Sequence, residues 1–237
     1  MNGFLPLNRD EASRRGWNEL DIVLVTGDAY VDHPAFGAAV IGRVLERQGY
    51  RIGIIAMPDW RDPLSVRIFG RPRLFFGVTS GNVDSLLARY TAFKKVRNDD
   101  PYAPGGLGGA KPERAVIVYC NLIKAAYKDV PIVLGGIEAS MRRMAHYDFI
   151  DDTLRRTILE DTRADILAYG MAEAAVMEIA DRLASGKTLE GIPGTVVMAR
   201  QKPPGALVLP AQEDVMASQD SFLEFSRLCH LNQDKVL

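Results

Sequence analysis

The chain has 237 residues, 47% of them hydrophobic, and its 29 Lys and Arg against 30 Asp and Glu leave a formal net charge of -1. That apolar content supports one large domain with a full core, and the balanced charge offers no global field for DNA, RNA or an anionic membrane. The two cysteines, Cys120 and Cys229, suit neither a zinc motif nor a disulfide framework, and the longest unbroken apolar run, "AVIVYC", is too short to span a bilayer, so a soluble protein of the reducing cytoplasm is expected.

An opening helix is expected, capped by Asn8 with Glu11 as its capping-box partner. "DIVLVTG" has the β-branched density of a buried first strand. Residues 35–48 follow as a helix with Phe36, Val40, Val44 and Leu45 on one face and a stop at Gly49, and "RIGIIAM" is a second strand. Strand, helix and strand in so few residues imply a parallel pair with a right-handed crossover. "RLFFGV" reads as the third strand, "NVDSLLARYTAF" as its helix, and the Gly- and Pro-rich stretch "KKVRNDDPYAPGGLGGAKPERA" as a long flexible loop or lid. "RAVIVYCNLIKAAYK" is assigned as a helix, since a crossover must precede the fourth strand, "PIVLGG". "ADILAYG" is the fifth strand, "AEAAVMEIADRLASG" a helix closed by Gly186, and "GTVVMA" a short last strand. Residues 1–202 thus form an α/β domain: an open, mostly parallel sheet of order 2-1-3-4-5 with helices on both faces. Residues 203–237 are a tail or linker with one helix.

Open parallel sheets place ligands outside the carboxyl ends of their strands, at the point where strand order reverses. Here that point lies between the first and third strands, so "TGDAYVDHPAFG" and "TSGN" are expected to wall a crevice. The candidate ligand or domain contacts are Thr26, Gly27, Asp28, Tyr30, Asp32, His33 and Gly37 from one loop, and Thr79, Gly81 and Asn82 from the other. Gly135, Gly136, Glu138, Arg142 and Arg143 join them after the fourth strand. A plainer reading of Asp28, Asp32 and His33 also stands, in which they cap the next helix and bond loop backbone. No G-x-G-x-x-G follows the first strand, and "GGLGG" lacks the Gly-Lys-Ser or Gly-Lys-Thr ending, so neither a classical dinucleotide site nor a P-loop is expected. Asp59 caps the segment after the second strand or bonds Arg61 or Arg67. The three histidines lack metal-ligand spacing. In "MRRMAHYDFIDDTLRRTILEDTR", helical spacing pairs Asp151 with Arg155 and Asp152 with Arg156.

Four segments together, "FLPLNRDEASRRGWNELDIVLVTGDAYVDHPAFGAAVIGRVLERQGYRIGIIAMPDW", "PRLFFGVTSGNVDSLLARYTAFKKVRNDDPYAPGG", "PIVLGGIEASMRRMAHYDFIDDTLRR" and "ADILAYGMAE", resemble the N-terminal region of the YgiQ family of radical S-adenosylmethionine proteins. The resemblance implies a flavodoxin-like domain similar to cobalamin-binding domains, placed before a barrel-like radical domain that holds a 4Fe-4S cluster through C-x-x-x-C-x-x-C and binds S-adenosylmethionine. Cys120 and Cys229 cannot supply three neighbouring thiolates, so cluster, S-adenosylmethionine and catalysis are expected in a downstream domain, the chain's implied partner. Cobalamin domains with a protein-supplied axial imidazole carry D-x-H-x-x-G after the first strand. "VDHPAFG" spaces Asp32, His33 and Gly37 differently, so no axial role passes to His33. What remains open is a ligand mode without that imidazole, for cobalamin or a nucleotide, or a fold that has lost the cofactor.

Overall fold

A computed structural model describes residues 3–232. Helix α1 (Arg9–Arg14) begins as expected: the Asn8 side chain accepts the Glu11 N–H at 2.9 Å, while the Glu11 carboxylate accepts the Leu7 N–H at 2.7 Å. Strands β1 (Ile22–Thr26) and β2 (Ile52–Ala56) pair in parallel and are joined by helix α2 (Gly37–Arg47), which ends before Gly49 at φ 93°. The buried seam of α2 is Ala39, Gly42 and Leu45, not the face centred on Phe36 and Val40. The small residues let the helix sit close to the sheet, with Leu5 packed where a Gly42 side chain would be.

Strand β3 (Phe75–Thr79) pairs with the other edge of β1, and β4 (Ile132–Leu134) and β7 (Ile166–Ala168) continue the parallel sheet. A final short strand, β8 (Thr195–Val196), closes it antiparallel, so the order is β2-β1-β3-β4-β7-β8 and the first five strands follow the expected arrangement. Because side chains alternate across each strand, Ile22, Leu24, Phe75, Val133 and Ile166 meet α2 and α7 (Glu173–Ala184) on one face. Val23, Val25, Phe76, Ile132 and Leu167 meet α4 (Ala115–Ala126) and α6 (Ile158–Thr162) on the other. Two-sided burial is why these strands read as continuous apolar runs.

Three local expectations change. The helix after β3, α3 (Ser85–Arg89), is only five residues long, since Tyr90 turns extended and pairs with Val96 across a tight turn that holds Lys94 at φ 57°. The charged stretch after α5 (Gly136–Met141) is no helix but a hairpin, β5 (His146–Asp148) against β6 (Thr153–Arg155), turned at Asp152, whose φ is 55°. Asp151 does reach Arg155 at 3.3 Å, but Arg156 pairs with Glu160 and the Asp152 carboxylate accepts the Tyr147 hydroxyl. Among the described residues the tail carries two helices, α8 (Gln212–Ala217) and α9 (Gln219–Leu231), divided at Ser218, which caps the second. Val215 is fully buried there, while residues 233–237 lie outside the described residues. No described helix is long and apolar enough to cross a membrane.

Candidate functional site

The loops expected to part at the switch point instead meet. Gly27 N–H donates to the Thr79 carbonyl at 3.1 Å, and the Asp28 carboxylate accepts the Asn82 N–H at 2.6 Å. The Asn82 side chain in turn donates to the Ala35 carbonyl at 3.1 Å. Gly81, at φ 102°, is required here: a side chain would run into the Asp28 carboxylate. A second carboxylate oxygen of Asp28 accepts from Lys111 Nζ at 2.7 Å, and Asp100 stands 3.9 Å from the same ammonium. All three groups are buried, so an ion cluster joins the end of β1 to the Gly-rich loop. That loop is further fixed by Ala29 N–H donating to the Tyr102 carbonyl at 2.9 Å and by Tyr102 packing edge-on against Phe36. It is a strapped wall of the site.

The open space lies beside this weld, between the sheet and the first turns of α2 and α7. It is a cleft of about 350 Å³ at the carboxyl ends of β1, β3, β4 and β7. Leu24, Phe75, Val133, Ala168, Ile41 and Val176 supply its apolar surface, and Gly77 leaves room for Leu24 to pack where a side chain would otherwise stand. Of the residues singled out in the sequence, Thr26, Asp28, Tyr30, Gly37, Thr79, Gly81, Asn82, Gly135 and Gly136 line the cleft. Gly136 has φ 80° and lies so close to Thr79 Oγ1 that a side chain would collide with it. The Tyr30 hydroxyl, half-buried, is pushed up to about 12 by burial.

The others lie outside the lining. Gly27 packs against the Ser80 carbonyl. Asp32 is engaged by Arg43, whose hydrogen bonds hold its carboxyl below the usual range. His33 is exposed, and its Nδ1 accepts the Ala35 N–H at 3.1 Å, a bond to loop backbone, while α2 starts after Phe36 without a side-chain cap. Glu138 is fully buried, accepting the Ser85 N–H at 2.9 Å and the Val116 N–H at 3.1 Å, so it staples the first turns of α3 and α4. Burial pushes its carboxyl up. Arg142 pairs with buried Asp84, and Arg143 bonds the Ser140 carbonyl and lies over the Tyr169 ring. Asp59 takes the Arg61 backbone N–H at 3.0 Å.

Sequence reasoning missed Lys111, Asp84 and the apolar lining. Nothing in "GGAKPER" marks its lysine as buried, since a lysine after a Gly-rich run is ordinarily solvated. Met171 in the cleft lining is exposed, as are Ile137 and Met141 on the adjoining α5, and the Gly170 N–H donates to Ser140 Oγ at 3.3 Å, which joins the two segments that carry them. Among the described residues, no group of three or more His, Cys, Asp or Glu side chains is placed to hold a metal ion.

Among solved structures, the radical S-adenosylmethionine methyltransferase TsrM from Kitasatospora setae, with tryptophan substrate and an S-adenosylmethionine analogue bound, matches with a TM-score of 0.51. Identity is 19%, over 76% of this chain and 28% of that one. The same enzyme with cobalamin and a 4Fe-4S cluster bound matches at a TM-score of 0.50 and 21% identity, over 79% and 29%. These likenesses carry the fold, a cobalamin-binding-like arrangement. UPF0313 proteins are much nearer in sequence. That of Thermotoga petrophila is 51% identical over 95% of this chain and 40% of its own length, and that of Bradyrhizobium diazoefficiens is 48% identical over 96% and 37%. That of Pseudomonas aeruginosa is 57% identical over 85% and 27%. The chain therefore spans well under half the length of these relatives. With residues 4–237 matching the family described as Radical SAM N-terminal, this chain belongs to that family and forms the cobalamin-binding-like N-terminal region of a larger kind of protein.

Proposed function

We propose that this domain covers the catalytic centre of the radical S-adenosylmethionine domain that accompanies it, with its strand-end rim as the covering surface and no catalysis of its own. The observation that carries the reading is the apolar cleft of about 350 Å³ with exposed Met171 in its lining and exposed Ile137 and Met141 on the helix that starts at its edge. Exposed apolar side chains rimming a concavity mark surfaces that meet another body or a ligand. The 4Fe-4S cluster and S-adenosylmethionine belong to the accompanying domain on this reading. Cys120 is buried in the core with its thiol pushed up by burial, and Cys229 sits on α9, so the two do not converge on a cluster site. The test is a photo-reactive benzophenone side chain at Met171 in the full-length protein. Cross-links from position 171 to the catalytic domain are expected, with none from Ala184 at the far end of α7. The reverse pattern sinks the reading.

A second reading, that the cleft takes cobalamin, draws on one observation: the lining is apolar and the imidazole of His33 does not enter it. The residues present fit only a mode without a protein-supplied axial ligand. Leu24, Phe75, Val133 and Val176 would hold the inserted portion, and Gly135 would let it approach the backbone closely. Bound there, cobalamin would bring organometallic chemistry to the neighbouring centre. Hydroxocobalamin added to the protein should then change its absorption spectrum and co-elute on gel filtration. An unchanged spectrum with no retained corrin removes this reading.

A further inference from the structure

We propose that two adjacent turns, the Tyr90–Val96 turn and the β5–β6 hairpin, form the docking face for the catalytic domain. This rests on the covering role above and assigns the contact to a particular surface. Phe93 is 86% exposed at the tip of the first turn, and Leu87 and Val96 are exposed beside it. Tyr147 and Phe149 are exposed on the second. The two turns form one surface: Lys94 Nζ donates to the Ile150 carbonyl at 3.0 Å and lies 5.0 Å from the centre of the Phe149 ring. Arg114, at the start of α4, bonds Asp148 at 2.8 Å and Asp151 at 2.6 Å, so the hairpin is held in place before any partner arrives. A cluster of exposed aromatic and aliphatic side chains on a fixed support has the composition of an interface centre.

The occupant follows from the chain itself. In the Thermotoga relative, the region matched by this chain is 40% of the protein, leaving a larger part to be accommodated. The last turn of α9 brings Cys229 Sγ to 4.0 Å from Met144 Sδ, two residues before β5, so the polypeptide returns beside this face after its tail helices. Lys95 and Arg97 are exposed at the margin of the patch. Asp151 and Asp152 are exposed on the second turn, so the matching surface is an apolar depression with a rim of both charges.

Hydrogen exchange of the full-length protein tests this. In wild type, amides of residues 91–97 and 146–152 should exchange roughly tenfold or more slowly than in the Phe93→Asp/Phe149→Asp variant. A Phe93→Leu/Phe149→Leu variant should keep the protection. Amides of β1 and β3 report folding, and if the double variant loses core protection, Phe93→Ser alone gives the comparison. Equal exchange in wild type and variant overturns the proposal, and so does protection that grows with protein concentration, which would signal a second copy. If the Met171 cross-links persist while these turns exchange freely, the docking face is wrong and the covering role stands. Loss of both removes the covering role itself.

Discussion

Two aspartates seven positions apart flank β1, and they do opposite things. Asp21, before the strand, is buried but gathers Arg51 and Arg73, whose guanidinium groups reach solvent, and also accepts the Arg51 backbone N–H at 2.8 Å. Asp28, after the strand, meets Lys111, which is only 4% exposed, in a cluster closed to water. The amino end of the sheet is thus laced by solvated ion pairs, while the carboxyl end hides its charges under the wall of an apolar cleft. A buried pair gains little net stability over apolar residues but leaves an uncompensated charge when one partner is removed. The Asp28 cluster is accordingly a device for holding two loops in one arrangement.

The contrast predicts its own largest break. Lys111→Met should cost about 3–5 kcal/mol in urea denaturation, because Asp28 and Asp100 are then buried without their cation. Adding Asp28→Leu should restore a large part of that loss. A single-variant loss near zero would mean that water reaches the cluster, and the two ends of the sheet would then be alike. Next in size is Gly81→Ala, expected to cost about 2–3 kcal/mol from the left-handed backbone and the collision with Asp28. Wild-type stability in that variant would show that the two loops do not meet.

The difference between the ends also marks what was readable in the residues. β1, β2, β3, β4 and β7 were legible because burial on both faces leaves long β-branched runs, and their order followed from crossover rules. The long polar loop "TGDAYVDHPAFG" was legible as a cleft wall, and nine of the fifteen residues singled out line the cleft. Its charged members were harder to assign. Asp32 and His33 look like ligand groups in one dimension, yet Arg43 and the Ala35 N–H engage them. Glu138 follows a strand end as a crevice residue would, but a backbone turn through Gly136 sends it inward to two helix starts. The Asp28–Lys111 contact links residues 83 positions apart, and no local pattern encodes such a pair.

The solvated end yields a smaller, pH-dependent effect. Burial alone would raise the Asp21 carboxyl, but hydrogen bonds from Arg51 and Arg73 outweigh it and the net displacement is downward. A carboxyl lowered on folding contributes stability that is present above its unfolded value of about 3.9 and lost as pH falls through the lower folded value. Asp21→Asn should therefore cost about 1–2 kcal/mol at neutral pH and progressively less in acid, with the two denaturation midpoints converging below about pH 3. A penalty that stays constant from neutral to acid pH would assign the effect to packing instead.

Asp32 supplies the smallest effect and the finest test of the contrast, because it shares the Asp28 loop but is only partly buried. Its partner Arg43 is about one-third exposed and also bonds Glu46 at 2.6 Å and the Gly3 carbonyl at 2.7 Å, so losing Asp32 leaves that guanidinium with other acceptors. Partly exposed pairs of this kind contribute little, and Asp32→Ala should lower stability by about 0.5–1 kcal/mol. The hydrogen bonds from Arg43 hold the Asp32 carboxyl low, so this loss too should fade below about pH 4. Because the Asp32 carboxylate is engaged by Arg43 and is not part of the cleft lining, the same variant should leave any corrin retention by the protein unchanged. A Asp32→Ala protein that keeps its stability but loses such retention would return the carboxylate to the ligand side and place the polar loop, with the apolar wall, at the centre of the site.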